Sequence, residues 1–267
     1  MIGILFNEND VASKNIAEYI IKQYGFEERQ DGAFISGNIK VVKSEKDLIY
    51  ADFVDNLGLE IAYMLSKHVS AAGISSITTH ATGNWNGEAK LGGKPYELSI
   101  AAPVEMLSIL RSAANTRLSE MGLQITYEAT HHGPLLKTPS LFVEIGGNEQ
   151  AVGNKEYAAL LGDALMREID MEKEYGRVVI GIGGTHYPDR FSKLAKERGF
   201  AFAHIMPRYA LESEGNNLFM LEQAAERSRL KPEAGLIDWH SFNSTERQKI
   251  LKKLEDIGLD YISTQNL

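Results

Sequence analysis

The chain has 267 residues, of which 43 % are apolar and 24 % are charged, with a formal net charge of −8 and no cysteine. This is an ordinary globular composition, and it excludes disulfides, thiolate metal ligands and a cysteine nucleophile. The negative charge argues against broad non-specific affinity for nucleic acid, which depends on neutralising phosphates. No basic leader or run of roughly 18 apolar residues is present, so we expect a cytoplasmic protein that does not cross a membrane.

Short β-branched runs alternate with longer amphipathic segments along the whole chain, which gives the following predicted elements in order. The first half contains a strand at 1–6, a helix from Asp10 to about Tyr24, strands at 39–42 and 48–50, a helix at 59–68, a strand at 75–79, a glycine-rich loop at 86–94, a helix from Pro103 to about Glu120, and strands at 124–129 and 140–145. The second half contains a helix at about 155–169, a strand at 177–182, a helix at 191–198, a strand at 202–206, a helix at 217–229, a strand at 236–238 and a helix at about 245–256.

Strands interleaved with helices indicate the α/β class, with a largely parallel or mixed sheet covered by helices on both faces. The sequence has no linker, repeat or low-complexity tract, so we predict a single catalytic domain over residues 1–267. The last helix carries Asn243 and Glu246 in the spacing of a capping box. Parallel sheets bind ligands at the carboxyl ends of their strands, and this rule directs attention to the residues that follow each strand.

Five of the seven histidines follow a predicted strand, and we expect them to share one site. They are His80, His131, His132, His186 and, less closely, His240. Adjacent side chains on an extended strand point to opposite faces, so His131 and His132 can serve one site only if the strand ends there. The following Gly133-Pro134 supplies such an end. One functional histidine beside a solvated neighbour is the alternative.

Three further motifs carry candidate chemistry. Gly183 and Gly184 precede His186, and their N–H groups could hold a phosphate or an oxyanion, although a tight turn also needs glycine. A histidine stands where a dinucleotide fingerprint needs its third glycine, so we expect no nucleotide cofactor. Trp85 could stack on a terminal adenine or belong to the core. Glu144 lies in an apolar strand, where a buried carboxylate needs a metal or a histidine as partner.

Several common catalytic motifs are absent from the sequence: the G-x-S-x-G nucleophile elbow, the H-E-x-x-H zinc helix and the phosphate-binding loop. What remains is a set of histidines with the carboxylates Glu105, Glu144 and Asp238 as candidates. Such residues suit a zinc ion whose bound water attacks a carbonyl. They equally suit metal-free general-base catalysis by a histidine, and the dispersed spacing leaves both options open.

Taken together, four segments resemble the signatures of the D-aminoacyl-tRNA deacylase family of archaea and plants. They are His80-Ala81-Thr82-Gly83-Asn84-Trp85, Glu128-Ala129-Thr130-His131-His132-Gly133-Pro134, Val143-Glu144-Ile145-Gly146 and Gly183-Gly184-Thr185-His186-Tyr187. The resemblance implies hydrolysis of the ester between a D-amino acid and the 3′ end of tRNA, a proofreading or detoxifying role, zinc as cofactor, and a fold related to phosphorylases and peptidyl-tRNA hydrolases. The chain departs from the expected family pattern after Asp238-Trp239, where it has His240-Ser241 in place of a lysine and a glycine.

Carried over residue by residue, the resemblance implies a centre with three kinds of site residue. The expected catalytic residues are His131, His132, Glu144 and His186; the expected metal ligands are His80, His131, Glu144 and His186; and the expected substrate contacts are Asn84, Trp85, Thr130, Gly183, Gly184 and Thr185. Lys137, Arg190 and Arg208 are candidates for contacts with the acceptor end of the tRNA. We expect a monomer whose partner is D-aminoacyl-tRNA.

Two other interpretations fit the same residues. A metal-dependent amidase or peptidase on a phosphorylase-like fold would use the same histidines and would suit the acidic charge better. A non-catalytic tRNA- or nucleotide-binding protein would instead bind without turnover, and its binding would survive the loss of His131 and His186. Activity on charged tRNA or on a free peptide separates these possibilities.

Overall fold

The fold was taken from a computed structural model, which describes residues 1–69, 73–211 and 217–267. The strands are β1 (Ile2–Asn7), β2 (Glu27–Glu28), β3 (Phe34–Ser36), β4 (Ile39–Ser44), β5 (Ile61–Val69), β6 (Ser76–His80), β7 (Gly83–Asn84), β8 (Glu97–Leu98), β9 (Gln124–Tyr127), β10 (Ser140–Gly147), β11 (Arg177–Ile182), β12 (Phe200–Met206), β13 (Ala234–Ile237) and β14 (Asp260–Ser263). The α-helices are α1 (Val11–Gln23), α2 (Pro103–Ala114), α3 (Arg117–Glu120), α4 (Glu149–Val152), α5 (Lys155–Asp170), α6 (Asp189–Arg198), α7 (Met220–Glu226) and α8 (Ser244–Asp256).

The strands form two main sheets rather than the one sheet that the sequence suggests. The larger sheet has the order β2-β3-β4-β1-β5-β10-β6-β9, and the smaller has the order β12-β11-β13-β14. All pairs in the smaller sheet are parallel. The larger sheet is mixed, because β6 runs antiparallel to β10 and β3 runs antiparallel to both β2 and β4. Strands β7 and β8 form a separate hairpin.

The two sheets share one hydrophobic core. Its largest cluster contains Ile4 and Val143 from the larger sheet, Val179 and Phe202 from the smaller one, and residues of α1, α2 and α5. Each sheet is thus joined to the other by buried apolar surface, which is the main favourable contribution to folding. The α/β class and the mixed sheet predicted from the sequence are confirmed.

Helix ends follow the capping rules read from the sequence. Asp10 accepts a hydrogen bond from the Ser13 N–H at the start of α1. The predicted capping box is present at α8, where Asn243 and Glu246 each accept a hydrogen bond from the other's backbone N–H. These contacts satisfy N–H groups that have no partner inside the helix.

Three predicted elements differ from the structure. The segment predicted as a helix at 59–68 is the central strand β5, whose Ala62, Tyr63, Met64 and Leu65 are all buried. A strand covered on both faces shows no alternation of apolar and polar residues, and this run therefore resembled a helix. The predicted strand at 48–50 is a 3₁₀ helix. The predicted helix at 103–120 is divided into α2 and α3, and Thr116 caps the second of them.

The two sheets meet at the segment that follows β9, here called the seam and defined as residues 128–132. The N–H of Ala129 donates to the carbonyl oxygen of His186, and the N–H of Thr130 donates to that of Ile205. The seam therefore connects the edge of the larger sheet to the loop after β11 and to β12. Within the part of the chain that the structure describes, no helix combines the length and apolarity that a bilayer span requires.

Candidate active site

Five histidines and two glutamates from five separate segments come together at the seam. Strand β5 supplies one histidine near its end, and β6 supplies another as its last residue. The seam itself supplies two histidines and a glutamate, β10 supplies the second glutamate, and the loop after β11 supplies the fifth histidine. In chain order, the cluster consists of His68, His80, Glu128, His131, His132, Glu144 and His186.

The cluster lies on one face of the larger sheet instead of at the edge predicted from the sequence. Glu144 is paired with Ser66 on β5 and with Thr78 on β6, and side chains two residues apart on a strand point to the same face. His68, His80 and Glu144 therefore share that face. Because β6 runs antiparallel to β10, the carboxyl ends of these strands do not all meet at one edge. The rule that ligands bind at the carboxyl ends of parallel strands therefore does not locate this site.

Glu128 is the hub of the cluster. Its Oε2 lies 3.0 Å from Nε2 of His186, 3.1 Å from Nδ1 of His68 and 3.6 Å from Nε2 of His131. The residue is 1 % exposed, and its Oε1 has no hydrogen-bond partner among the described residues. Glu144 is the second carboxylate, with Oε2 at 3.4 Å from Nδ1 of His68 and 3.8 Å from Nε2 of His80.

Backbone carbonyls fix the orientation of three of the imidazoles. Nδ1 of His80 lies 3.1 Å from the oxygen of Ala81, and Nδ1 of His131 lies 2.8 Å from that of Ala129. Nδ1 of His132 lies 2.5 Å from the oxygen of Gly133. A carbonyl can only accept, so each Nδ1 carries the proton, and the Nε2 of a neutral ring keeps its lone pair. This is the tautomer that a metal ligand needs.

The chain turns sharply so that both adjacent histidines reach the cluster. His132 has a φ of 41°, a left-handed conformation that is uncommon for a residue other than glycine. The ring centroids of His131 and His132 are 4.3 Å apart, and each ring also lies within 5 Å of the His80 ring. The left-handed turn brings His131 and His132 together, and the alternative of one solvated neighbour does not apply.

The electrostatics divide the histidines into two groups. Burial and the adjacent histidines hold the pKa of His131 well below its usual value, and burial together with His80 lowers the pKa of His132 to about 4. Both rings are therefore neutral near pH 7. Burial also opposes a charge on His68, but the carboxylates of Glu128 and Glu144 outweigh it and raise the pKa of His68 to about 10. Hydrogen bonds from His186 and His68 lower the pKa of Glu128 despite its burial.

The donor set fits a metal ion of the kind that takes nitrogen and oxygen ligands. Three groups of donor atoms each lie within 4.8 Å of one another: His80 with His131 and His132, His68 with Glu128 and His186, and His80 with Glu128 and Glu144. The Nε2 of His80 is buried without a hydrogen-bond partner among the described residues. The four ligands expected from the sequence do not form one group, because His186 is grouped with His68 and Glu128.

Two of the expected substrate contacts lie in the interior. Trp85 is 4 % exposed, and its Nε1 donates to the carbonyl oxygen of Thr130. Thr130 is 1 % exposed, and its Oγ1 lies 3.3 Å from Nδ1 of His204. The structure thus places Trp85 inside the seam, which it supports, and the expected substrate contacts of Trp85 and Thr130 stay predictions. Asn84 donates through Nδ2 to the carbonyl oxygens of Gly92 and Lys94.

The loop after β11 uses some of its N–H groups internally. Gly183 N–H donates to the carbonyl oxygen of Met206 and Gly184 N–H donates to Oγ of Ser241, while Thr185 is exposed. Gly183 and Gly184 also have positive φ values of 106° and 76°, so this turn requires glycine. The interpretation of these glycines as a tight turn is the one that the geometry supports.

Several other candidates lie outside the cluster. His240 is exposed in the 3₁₀ helix 239–241 after β13. Glu105 pairs with Arg229 at 2.7 Å, and Asp238 accepts from Ser241 at 2.7 Å. Of the basic residues, Arg190 bonds the Thr264 carbonyl oxygen and lies near Asp238, Arg208 pairs with Glu246 at 2.9 Å, and Lys137 is exposed.

Three residues of the site were missed in the sequence. His68 was assigned to a helix, and its position near the end of β5 gives it the same strand-end context as His80. Glu128 was seen only as part of a motif, although its place directly after β9 is a signal of the same kind. Tyr187 places its hydroxyl against Nε2 of His68.

Imidazoles and buried carboxylates gathered at the seam of two packed sheets define a histidine–carboxylate centre of the hydrolytic type in an α/β protein. The chain belongs to the D-aminoacyl-tRNA deacylase family, whose family model matches residues 55–262. It is 34 % identical to the D-aminoacyl-tRNA deacylase of Pyrococcus furiosus over 273 residues, which covers 97 % of this chain and 98 % of the relative.

Other comparisons agree over the same extent. The deacylase of Thermococcus onnurineus is 36 % identical over 276 residues and is covered to 98 %. A crystal structure of a conserved protein of unknown function matches with a TM-score of 0.92 and 30 % identity, covering 100 % of this chain and 96 % of the other. The resemblance read from the four sequence motifs is thus confirmed, and it extends from the first strand to the last.

Proposed function

We propose that this protein hydrolyses the ester bond of D-aminoacyl-tRNA and releases free tRNA and a D-amino acid. The observation that carries this proposal is that the motifs shared with the deacylases converge on one centre. The imidazole and carboxylate side chains of these motifs are brought within contact distance at the seam. The activity is that of a hydrolase acting on a carboxylic ester, and the role is proofreading or detoxification.

A zinc ion suits this centre, and His80, His131 and His132 are the residues that would hold it through their Nε2 atoms. The carboxylates of Glu128 and Glu144 balance the positive charge there. When bound, zinc polarises a carbonyl and lowers the pKa of a water molecule. The nitrogen and oxygen donors and the absence of thiolates in the chain are compatible with zinc among the common metals.

The residues of the chain also provide a route for protons. The Glu128 carboxylate accepts from Nε2 of His186 at 3.0 Å, which leaves Nδ1 of His186 with a lone pair. The His186 side chain is 32 % exposed, so it meets an incoming substrate. It is therefore placed to accept a proton from the attacking water and to return it to the ribose oxygen that leaves. Glu128 holds the ring in this orientation.

Within the α/β class, a more specific fold can be proposed for this chain. We propose a single catalytic domain with the phosphorylase- or peptidyl-tRNA-hydrolase-like architecture that the family resemblance implies. The shared core between the two sheets supports one domain. We further propose that the protein is a cytoplasmic monomer without a nucleotide cofactor and that it takes the acceptor end of tRNA as its substrate. The cluster opens through the partly exposed His131 and His186 at the seam.

The experiment that tests the function is deacylation of D-tyrosyl-tRNA against L-tyrosyl-tRNA, each with and without a strong chelator followed by added zinc. Rapid release from the D-ester alone is the expected result, with loss in the chelator and recovery with zinc. Failure of a folded, zinc-loaded protein to turn over either ester would refute the proposal. Cleavage of a free peptide by the same preparation would then favour the amidase interpretation.

A further inference from the structure

Two exposed aromatic rings contact each other at the surface. Tyr96 is 37 % exposed and Phe219 is 53 % exposed, and their ring centroids are 5.6 Å apart. Large apolar rings are normally buried, and two that touch each other at the surface form a patch that can receive another flat group. We name Tyr96 and Phe219 the aromatic platform.

The platform is connected to the cluster by the β7–β8 hairpin. The N–H of Gly83 donates to the carbonyl oxygen of His132 at 2.7 Å, so the hairpin begins at the catalytic segment. Gly83 is paired with Leu98, and Tyr96 stands two residues before Leu98. Two residues of chain span at most about 7 Å, so the Cα of Tyr96 lies within about 7 Å of that of Leu98, the strand partner of Gly83. This distance suits nucleotides next to the one that carries the ester.

The backbone holds Tyr96 in a conformation that tyrosine rarely adopts. Its φ is 55°, in the left-handed region. Its N–H donates to the carbonyl oxygen of Asn86 at 3.0 Å, and its own carbonyl accepts from Nε2 of Gln223 at 3.2 Å. Strained backbone of this kind persists only where the surrounding structure over-determines it, and it concentrates at functional sites. Here it keeps the ring beside Phe219.

From the platform and its link to the cluster, we infer that Tyr96 and Phe219 stack on the unpaired nucleotides next to the terminal adenosine of the tRNA acceptor end. This inference rests on the proposed function. An acidic protein with a formal net charge of −8 gains little from general phosphate binding. Stacking on aromatic rings supplies affinity for a single strand without positive charge and without a sequence code. Lys94, exposed on the same loop, adds one positive charge nearby.

The test compares two substrates in the full-length, metal-loaded protein. One is D-tyrosyl-tRNA, and the other is 3′-O-D-tyrosyl-adenosine, which has the ester but no preceding nucleotides. Because stacking contributes at each base, Tyr96→Ala combined with Phe219→Ala is expected to raise KM for the tRNA roughly tenfold and to leave kcat unchanged. Activity on the adenosine ester is expected to stay the same. Tyr96→Phe keeps the ring and is expected to retain the wild-type KM.

Tyr261→Ala is the matched control, because Tyr261 is 54 % exposed on β14 outside the platform. A KM unchanged in the double variant would overturn the inference, and so would an equal loss on both substrates, which would mean that the rings shape the catalytic centre. Binding of a fluorescent single-stranded RNA ending in CCA gives a readout without turnover, and the double variant is expected to bind it roughly tenfold more weakly. Wild-type protein that binds this RNA yet hydrolyses neither ester would refute the proposed function alone. Dimers abolished by Phe219→Ala would instead assign the platform to a second copy of the chain.

Discussion

The carboxylate of Glu128 lies between three imidazoles in the interior of the protein. An ionised group removed from water is costly unless hydrogen bonds and opposite charges replace its hydration. His186 and His68 provide those contacts at 3.0 and 3.1 Å, and the pKa of Glu128 falls below its usual range although burial opposes this. One negative charge therefore orients two rings of the centre at the same time.

Replacement of Glu128 by glutamine tests this role, because the side chain keeps its size and loses its charge. Glu128→Gln is expected to lower kcat on D-tyrosyl-tRNA by about 10²–10⁴-fold, the usual contribution of a positioned acid–base group. The matched control is Glu168→Gln, a buried glutamate on α5 outside the cluster. Steady-state kinetics of both variants measure this effect. A decrease in kcat of less than threefold in Glu128→Gln would exclude a role for the Glu128 charge in orienting the rings of the centre.

The hydroxyl of Tyr187 offers a finer test. It contacts Nε2 of His68, whose Nδ1 faces Glu128. Tyr187→Phe removes the hydroxyl and keeps the ring, and a net hydrogen bond of about 1 kcal/mol corresponds to a roughly fivefold lower kcat. KM is expected to stay unchanged. Tyr24→Phe removes a hydroxyl that bonds Asp163 elsewhere, and wild-type kinetics are expected for it. Equal effects of both changes would contradict a role for Tyr187 at the centre.

At the scale of elements, three stretches of backbone meet at Gly133, the residue after His132. A Cβ added at Gly92 would lie 1.9 Å from the carbonyl oxygen of Ile49, and one added at Gly133 would lie 2.2 Å from the nitrogen of Gly93. The glycine-rich loop therefore packs against the histidine segment through backbone atoms alone. Only glycine permits this approach, and the close packing fixes the position of the seam.

Substitution of Gly92 separates this contact from ordinary backbone strain. Gly92 and Gly122 have nearly equal φ values of 81° and 83°, but no atom of the described residues lies within 4 Å of a Cβ added at Gly122. Gly122→Ala is expected to lower the free energy of unfolding by about 1 kcal/mol, the cost of a left-handed residue. Gly92→Ala is expected to cost at least about 3 kcal/mol and to lower kcat as well. Urea unfolding of the two variants measures the difference, and equal losses would rule out the contact.

The elements that could be predicted from the sequence are those with a clear period and clear caps. Helix α8 follows its capping box, and β11 and β12 follow their apolar runs. The central strand β5 could not be predicted, because a strand buried on both faces carries no period of two. The antiparallel placement of β6 was equally hidden, since pairing depends on contacts between distant segments.

Some residues of the candidate site could likewise be predicted from the sequence, and others could not. His80, His131, His132 and His186 were found because each follows a strand, and the cluster contains all four. His68 was not predicted as a site residue, because its strand β5 was predicted as a helix. The burial of Trp85 was left open by the sequence, because a tryptophan beside a histidine suits both a core and a binding surface, and only its hydrogen bond to Thr130 distinguishes them.

At the scale of the whole molecule, the fold carries a buried acid that makes stability depend on pH. Burial raises the pKa of Glu168 to about 7, although Lys173 and the Tyr63 hydroxyl favour its charged form. The folded state thus holds a proton that the unfolded chain releases near its ordinary pKa of 4.5. The folded protein gains stability from this proton at low pH and loses that gain as the pH rises from the ordinary value toward 7.

Urea unfolding at pH 5 and pH 8 measures this effect. Between the two, wild-type protein is expected to lose up to about 3 kcal/mol through Glu168, since each unit of pKa shift corresponds to about 1.4 kcal/mol. Glu168→Gln cannot ionise, so its loss of stability between pH 5 and pH 8 is expected to be smaller than that of the wild type by this amount. The other titrating groups cancel in the comparison. A pH dependence identical in both proteins would refute the assignment.

The order of residues along the chain sets the order in which the residues of the centre are synthesised. Every strand of the larger sheet lies before residue 148, and every strand of the smaller sheet lies after residue 176. A growing polypeptide therefore presents His68, His80, Glu128, His131, His132 and Glu144 long before His186 and Tyr187 leave the ribosome. Nascent chains interrupted between the two sheets would hold most of the ligands and none of the chemistry that His186 provides. Newly made protein would become able to cleave esters only when the smaller sheet, with the loop that carries His186, has been made and has docked against the larger sheet.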